Sequence, residues 1–268
     1  MIGLFDSGLG GLTVIRRLRE RLPQTDIVYL ADQAHVPYGD RDPEELFDLL
    51  IANLAWLDAQ GVDATVMACN TSCAIAQRYG WPDTRAPALD IIDSAATAVQ
   101  RAGFRRVGVI ATAATVEAGS YGRTLRAAIP GCEVWEVAAP ALVPMIEAGR
   151  LAGGEPRAAV EAVCRELPRD LDAVIYGCTH YPVLEPHFAA ALEAGVTLID
   201  PAAMQAERAA ALVGAREPLE ESGTTRYVTS GDPVTFKAGI ARTLGEAPAR
   251  VESLKDSRRG KYRRTASS

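Results

Sequence analysis

Lysine is nearly missing from this chain: Lys237, Lys255 and Lys261 are the whole complement, all late and outside any recognisable motif. A pyridoxal enzyme needs a lysine in its site for the Schiff base, so that cofactor is disfavoured. The dinucleotide fingerprint G-x-G-x-x-G is also missing, and the one glycine-rich loop, Asp6 to Thr13, lacks the lysine of a phosphate-binding loop. No apolar run approaches the ~20 residues that a membrane-spanning helix needs. The formal net charge of −6 gives no reason to expect nucleic acid as the main partner. The N-terminal Met1-Ile2-Gly3-Leu4-Phe5 reads as a strand and is too short for a secretory signal. These absences lead us to expect a cytoplasmic globular protein without membrane contact or cofactor, whose side chains do their chemistry alone.

What remains is ample. The 268 residues suffice for one large domain or two ordinary ones, and 48% apolar with 23% charged residues is a soluble composition. The five cysteines are expected to be reduced, free thiols. The basic stretch Ser257 to Arg264 belongs to a tail, residues 256–268, that reads as a disordered terminus.

Short apolar runs alternate with amphipathic ones. Residues 2–5, 27–30, 64–67 and 88–92 read as four strands, and Leu12 to Arg21 and Pro43 to Gln60 as helices between them. Pro43 suits a first helical turn. Residues 107–110, 134–137, 173–176 and 196–199 give four further strands, and a last strand at 227–230 precedes a helix from Pro233 to Leu244. Alternation of this kind predicts an α/β fold of two similar domains with mostly parallel central sheets, related by a pseudo-two-fold. The first domain is drawn as 1–92 plus 203–268 and the second as 93–202.

Ligands of parallel α/β sheets bind beyond the carboxyl ends of the strands. The polar stretches there are Asp6-Ser7-Gly8, Asp32 to Gly39, Cys69-Asn70-Thr71, Asp93-Ser94, Thr112 to Thr115 and Cys178-Thr179-His180. Cys69 and Cys178 each close the third strand of their half and precede polar donors and an expected helix. A thiol at a helix N-terminus gains from the dipole and the free amides, with activated values of roughly 3.5 to 7.5. The pattern makes both cysteines plausible bases or nucleophiles facing each other across the interdomain cleft, whereas Cys73, Cys132 and Cys164 read as small buried residues. A metal site from Cys69, Cys73, Cys178 and His180 is the competing reading, weakened by the awkward C-x-H bite. Asp6 could hold a substrate ammonium or tune a thiol, Val36-Pro37-Tyr38-Gly39 could offer amides and a phenol to a carboxylate, and Glu147 could pair with His180.

Taken in order, Phe5 to Thr13, Val36-Pro37-Tyr38-Gly39, Ala68-Cys69-Asn70-Thr71 and Gly177 to Pro182 resemble the glutamate racemase family of the aspartate/glutamate racemase superfamily. The resemblance runs from the N-terminus to Thr229-Ser230-Gly231-Asp232-Pro233. It implies a cofactor-independent, metal-free, two-base racemisation of glutamate that supplies D-glutamate for peptidoglycan, in a homodimer. Cys69 and Cys178 would be the bases, assisted by Asp6 and His180 respectively, with Glu147 orienting His180. Ser7, Pro37, Tyr38, Gly39, Asn70, Thr71, Thr115 and Thr179 would bind the substrate, with Asp6, Cys69, Cys178 and His180 beside them. The chain departs from the family pattern at Ala31-Asp32-Gln33, His35, Asp93-Ser94 and Ala138-Ala139-Pro140. Alternatives are a racemase of aspartate or another α-carbon acid, a thiol metal-binding protein, and a catalytically idle relative that binds a partner such as gyrase.

Overall fold

A computed structural model describes residues 1–214, 222–245 and 247–257, so the basic tail lies mostly outside the described residues. Among the described residues ten strands form two wholly parallel sheets. They are β1 (Ile2–Asp6), β2 (Ile27–Ala31), β3 (Ala64–Met67), β4 (Ala88–Asp90), β5 (Arg106–Ala111), β6 (Glu133–Ala138), β7 (Ala173–Gly177), β8 (Thr197–Ile199), β9 (Thr225–Thr229) and β10 (Val251–Ser253). The first sheet has the order β10-β9-β2-β1-β3-β4 and the second β6-β5-β7-β8. Every residue of β1, β2, β3 and β7 is buried, as expected of parallel strands covered by helices on both faces.

Local chemistry sets where helices begin. Asp42 caps the helix Pro43–Ala59 by accepting the Glu44 amide at 2.8 Å, with proline in the first turn where no amide is needed. Asp90 does the same for Ile91–Ala102, accepting the Ile92 amide at 2.7 Å. The strand read as 88–92 therefore stops at Asp90, and Ile91 and Ile92 open a helix with their side chains buried.

The segment after β7 differs from expectation too. Instead of an α-helix, Tyr181–Leu184 forms a 3₁₀ turn, and the helix Glu185–Ala191 follows it. Pro182 and Pro186 stand in the first turns of these two segments, where a proline needs no amide partner, so the chain starts a new turn at each. Cys178 therefore does not sit at the start of an α-helix. Cys69 does, as the N-cap residue of Asn70–Tyr79.

Candidate active site

The carboxyl ends of three strands from each sheet meet around one cavity. Ser7 follows β1, Val36 to Asp40 follow β2, and Cys69, Asn70 and Thr71 follow β3; Thr112 and Ala113 follow β5, Pro140 and Val143 follow β6, and Cys178, Thr179 and His180 follow β7. Both cysteines line this cavity, and only 4% of Cys69 and 6% of Cys178 is exposed, so neither thiol is freely solvated.

Their surroundings are unlike. Cys178 Sγ lies 3.6 Å from His180 Nδ1, and His180 Nε2 lies 2.7 Å from Glu147 Oε1. Glu147, at the end of the helix Leu142–Glu147, also accepts the Leu9 amide at 3.2 Å, which ties the two sheets together. Burial pulls the imidazole down, but the hydrogen bonds to Cys178 and Glu147, reinforced by their charges, hold it well above its ordinary value. Burial likewise opposes ionisation of Glu147, yet His180 keeps its carboxyl below the usual range. Nε2 faces the Glu147 carboxylate and Nδ1 faces the Cys178 sulfur, so both ring nitrogens are engaged and the raised imidazole stands directly against Cys178 Sγ.

Cys69 has a carboxylate for a neighbour. Burial first and then the charge of Asp6 push its thiol up to about 12, and contacts with Ser72 and Ser7 act in the opposite sense without prevailing. The helix N-terminus expected to activate Cys69 is present, but desolvation outweighs it. Asp6 is fully buried: Oδ1 accepts the Gly8 amide at 2.9 Å and Oδ2 the Thr179 hydroxyl at 3.1 Å. Burial raises its own affinity for a proton. Asp6 therefore reaches the cavity through Thr179 and through its field on Cys69.

The remaining sequence candidates separate into wall and support. Ser7, Pro37, Tyr38, Gly39, Asn70, Thr71 and Thr179 all stand in the cavity wall. Thr115 stands behind it, fully buried, with its hydroxyl 2.9 Å from that of Thr112 and 3.3 Å from that of Thr71. Thr112 lines the cavity in its place, a residue inside a stretch the sequence had marked but not chosen. The Tyr38 phenol bonds the Asp32 carboxylate at 2.5 Å. Asp32 also holds His35 Nδ1 at 2.8 Å and the Ser230 hydroxyl at 2.5 Å, so the departure at His35 joins a network that anchors the cavity loop. Burial raises Asp32, but the bonds from Ser230, Tyr38 and His35 bring it below the usual carboxylate range. Among the described residues no three His, Cys, Asp or Glu side chains form a metal-binding group, and the Cys73 thiol turns to the Met67 carbonyl at 3.6 Å.

A fold of two parallel sheets with paired thiols at corresponding strand ends defines a class. The sequence profile of the Asp/Glu/Hydantoin racemase family matches residues 12–209, and the chain belongs to that family. Within it, the chain is 45% identical over 238 residues to the glutamate racemase of Gloeobacter violaceus, covering 88% of this chain and 89% of that one. Among crystal structures, a glutamate racemase isoform of Bacillus anthracis superposes with a TM-score of 0.88 at 28% identity, over 95% of this chain and 97% of that one. The glutamate racemase of Thermus thermophilus, crystallised with beta-chloro-D-alanine, gives 0.79 at 36% identity over the same shares.

Proposed function

We propose that the chain interconverts L- and D-glutamate without a cofactor, by two-base proton transfer between Cys69 and Cys178. The observation that carries this reading is the presence of both thiols in one buried cavity, one against His180 and the other against a carboxylate. The pair must enter with a single proton. On this reading the sulfur that faces His180, Cys178, acts first as the base, and Cys69, beside Asp6, acts as the acid. The thiolate takes the α-proton from one face of Cα, and the electron pair of the C–H bond moves onto the carboxylate as a carbanion or enediolate. The opposite thiol then returns a proton to the other face. The sulfurs have now exchanged states, and this second form accepts the opposite enantiomer.

An α-proton is weakly acidic, so the developing charge needs preorganised donors. Ser7 and Thr71 supply them here, while the Asn70 side-chain nitrogen, buried without a hydrogen-bond partner, is left to hold a substrate carboxylate throughout the reaction. On the same reading the product feeds peptidoglycan synthesis and the enzyme works in the cytoplasm as a homodimer.

The test is to incubate L-glutamate with the protein in deuterated water, without cofactor, and to follow optical rotation and α-deuterium. Both should change together, with aspartate run beside it as the competing substrate. Cys69→Ala and Cys178→Ala should each lower racemisation by roughly 10²–10⁴-fold, the usual contribution of a positioned base. Full turnover in both variants would end the two-base assignment.

A further inference from the structure

Asn70 lines the cavity from the first turn of the helix Asn70–Tyr79, and 3% of it is exposed. Its two amide atoms are treated differently. Oδ1 accepts a 2.5 Å hydrogen bond from the phenol of Tyr121, while Nδ2 has no partner. Tyr121 lies in the helix Ser120–Ala128, between β5 and β6 in sequence, and is fully buried. A phenol so buried stays protonated, because desolvation, with the nearby Asp90 charge, pushes it well above its ordinary value.

We propose that Tyr121 is a positioning residue that holds the Asn70 amide with its NH₂ group available to a substrate carboxylate. The Asn70 amide has two orientations open to it. With Oδ1 toward Tyr121, the phenol proton is used and both amide N–H groups remain for the ligand. With the amide turned over, the phenol proton loses its acceptor, and an amide oxygen meets the incoming carboxylate. The second arrangement leaves a buried donor unmade and sets two acceptors together, so the first is favoured. Nothing in the local sequence announces this, since the pair is 51 residues apart.

The inference rests on the racemase reading, and the experiment separates the two. Wild type, Tyr121→Phe, Asn70→Ala and the double variant are assayed for racemisation of L- and D-glutamate, with thermal melting as a check on folding. Loss of one buried hydrogen bond corresponds to about a tenfold effect. Tyr121→Phe should therefore raise KM for both enantiomers by about tenfold with kcat nearly unchanged, the signature of uniform binding lost. In the Asn70→Ala background the same change should add nothing. Asn70→Asp, which keeps the acceptor for Tyr121 and discards the donors, should bind glutamate as poorly as Asn70→Ala. The proposal is overturned if Tyr121→Phe leaves KM unaltered, if its effect persists at full size without Asn70, or if Asn70→Asp retains wild-type affinity. A wild type that leaves glutamate unchanged would instead refute the functional reading itself.

Discussion

Glu147→Gln isolates the charge behind His180. Both hydrogen bonds that Glu147 accepts, from His180 Nε2 at 2.7 Å and the Leu9 amide at 3.2 Å, end on the same oxygen, Oε1. Glutamine keeps that acceptor and its shape, so the variant removes a charge and little else. Hydrogen bonds to charged groups exceed neutral ones by about 1–1.5 kcal/mol, and 1.36 kcal/mol is about a tenfold change in rate. His180 is held above its ordinary value partly by Glu147, so removing that anion lowers it. The sign follows: a group raised on folding keeps its protonated form below its folded value and loses it as pH rises through that value. A lower value brings the loss earlier. Racemisation in both directions, followed by circular dichroism from neutral to alkaline pH, should show kcat/KM reduced about tenfold, with the alkaline decline setting in at lower pH. The melting temperature should change by only a few degrees. An unchanged rate with an unchanged alkaline limb would refute the reasoning.

Three further outcomes follow from named contacts. A methyl group at Gly10 would lie 2.2 Å from Thr179 Oγ1 and 2.7 Å from His180 Nδ1, so Gly10→Ala must displace the machinery around Cys178. Steady-state assays should show about a 10²-fold fall in kcat, as a misplacement of about 1 Å produces. Asp6→Asn removes the second cause that raises Cys69, so in a Cys178→Ala background alkylation of Cys69 should set in at lower pH than with Asp6 intact. Asp32 is lowered on folding, so its contribution is present above the unfolded carboxylate value and is lost as pH falls through the folded one. Asp32→Asn should therefore cost about 1–2 kcal/mol, or roughly 2–8 °C in Tm, at neutral pH, with the gap from wild type closing on acidification.

Much of this arrangement could be read from the chain, because parallel strands advertise themselves as short apolar runs and put their polar residues where ligands bind. The runs at 2–5, 64–67 and 173–176 each fall within one residue of an observed strand. Legibility failed where two apolar elements abut, as at Asp90, whose capping carboxylate divides strand from helix inside a continuous apolar stretch. It failed again at Val251–Ser253, a short, half-buried edge strand with no apolar run to mark it. In the cavity, residues that follow strands were legible, as was Glu147 behind His180, but the other residues that act through neighbours were not. Asp32 gathers Tyr38, His35 and Ser230 across 198 positions, and Tyr121 meets Asn70 only because two helices pack there. Sequence order encodes the wall of this site better than what braces it.

The two halves resemble each other in topology, with Cys69 and Cys178 following the interior strands β3 and β7, yet the chemistry around the thiols is not repeated. That inequality is what a two-base cavity requires. Two identical thiols in one desolvated space would share no preference for where a single proton resides, and both could be neutral, leaving no base. Here His180 stands against one sulfur and the Asp6 charge helps to raise the other, so the proposed base and acid have different surroundings before substrate arrives. Thr179 couples the assignments: its hydroxyl holds Asp6 while its neighbour His180 holds Cys178, so one dipeptide touches the partners of both thiols. Thr13 closes the same junction by donating to the Thr179 carbonyl at 3.2 Å from the first helix. Movement of either sheet against the other would therefore disturb both thiols together, which places control of the reaction in the fit between the two halves.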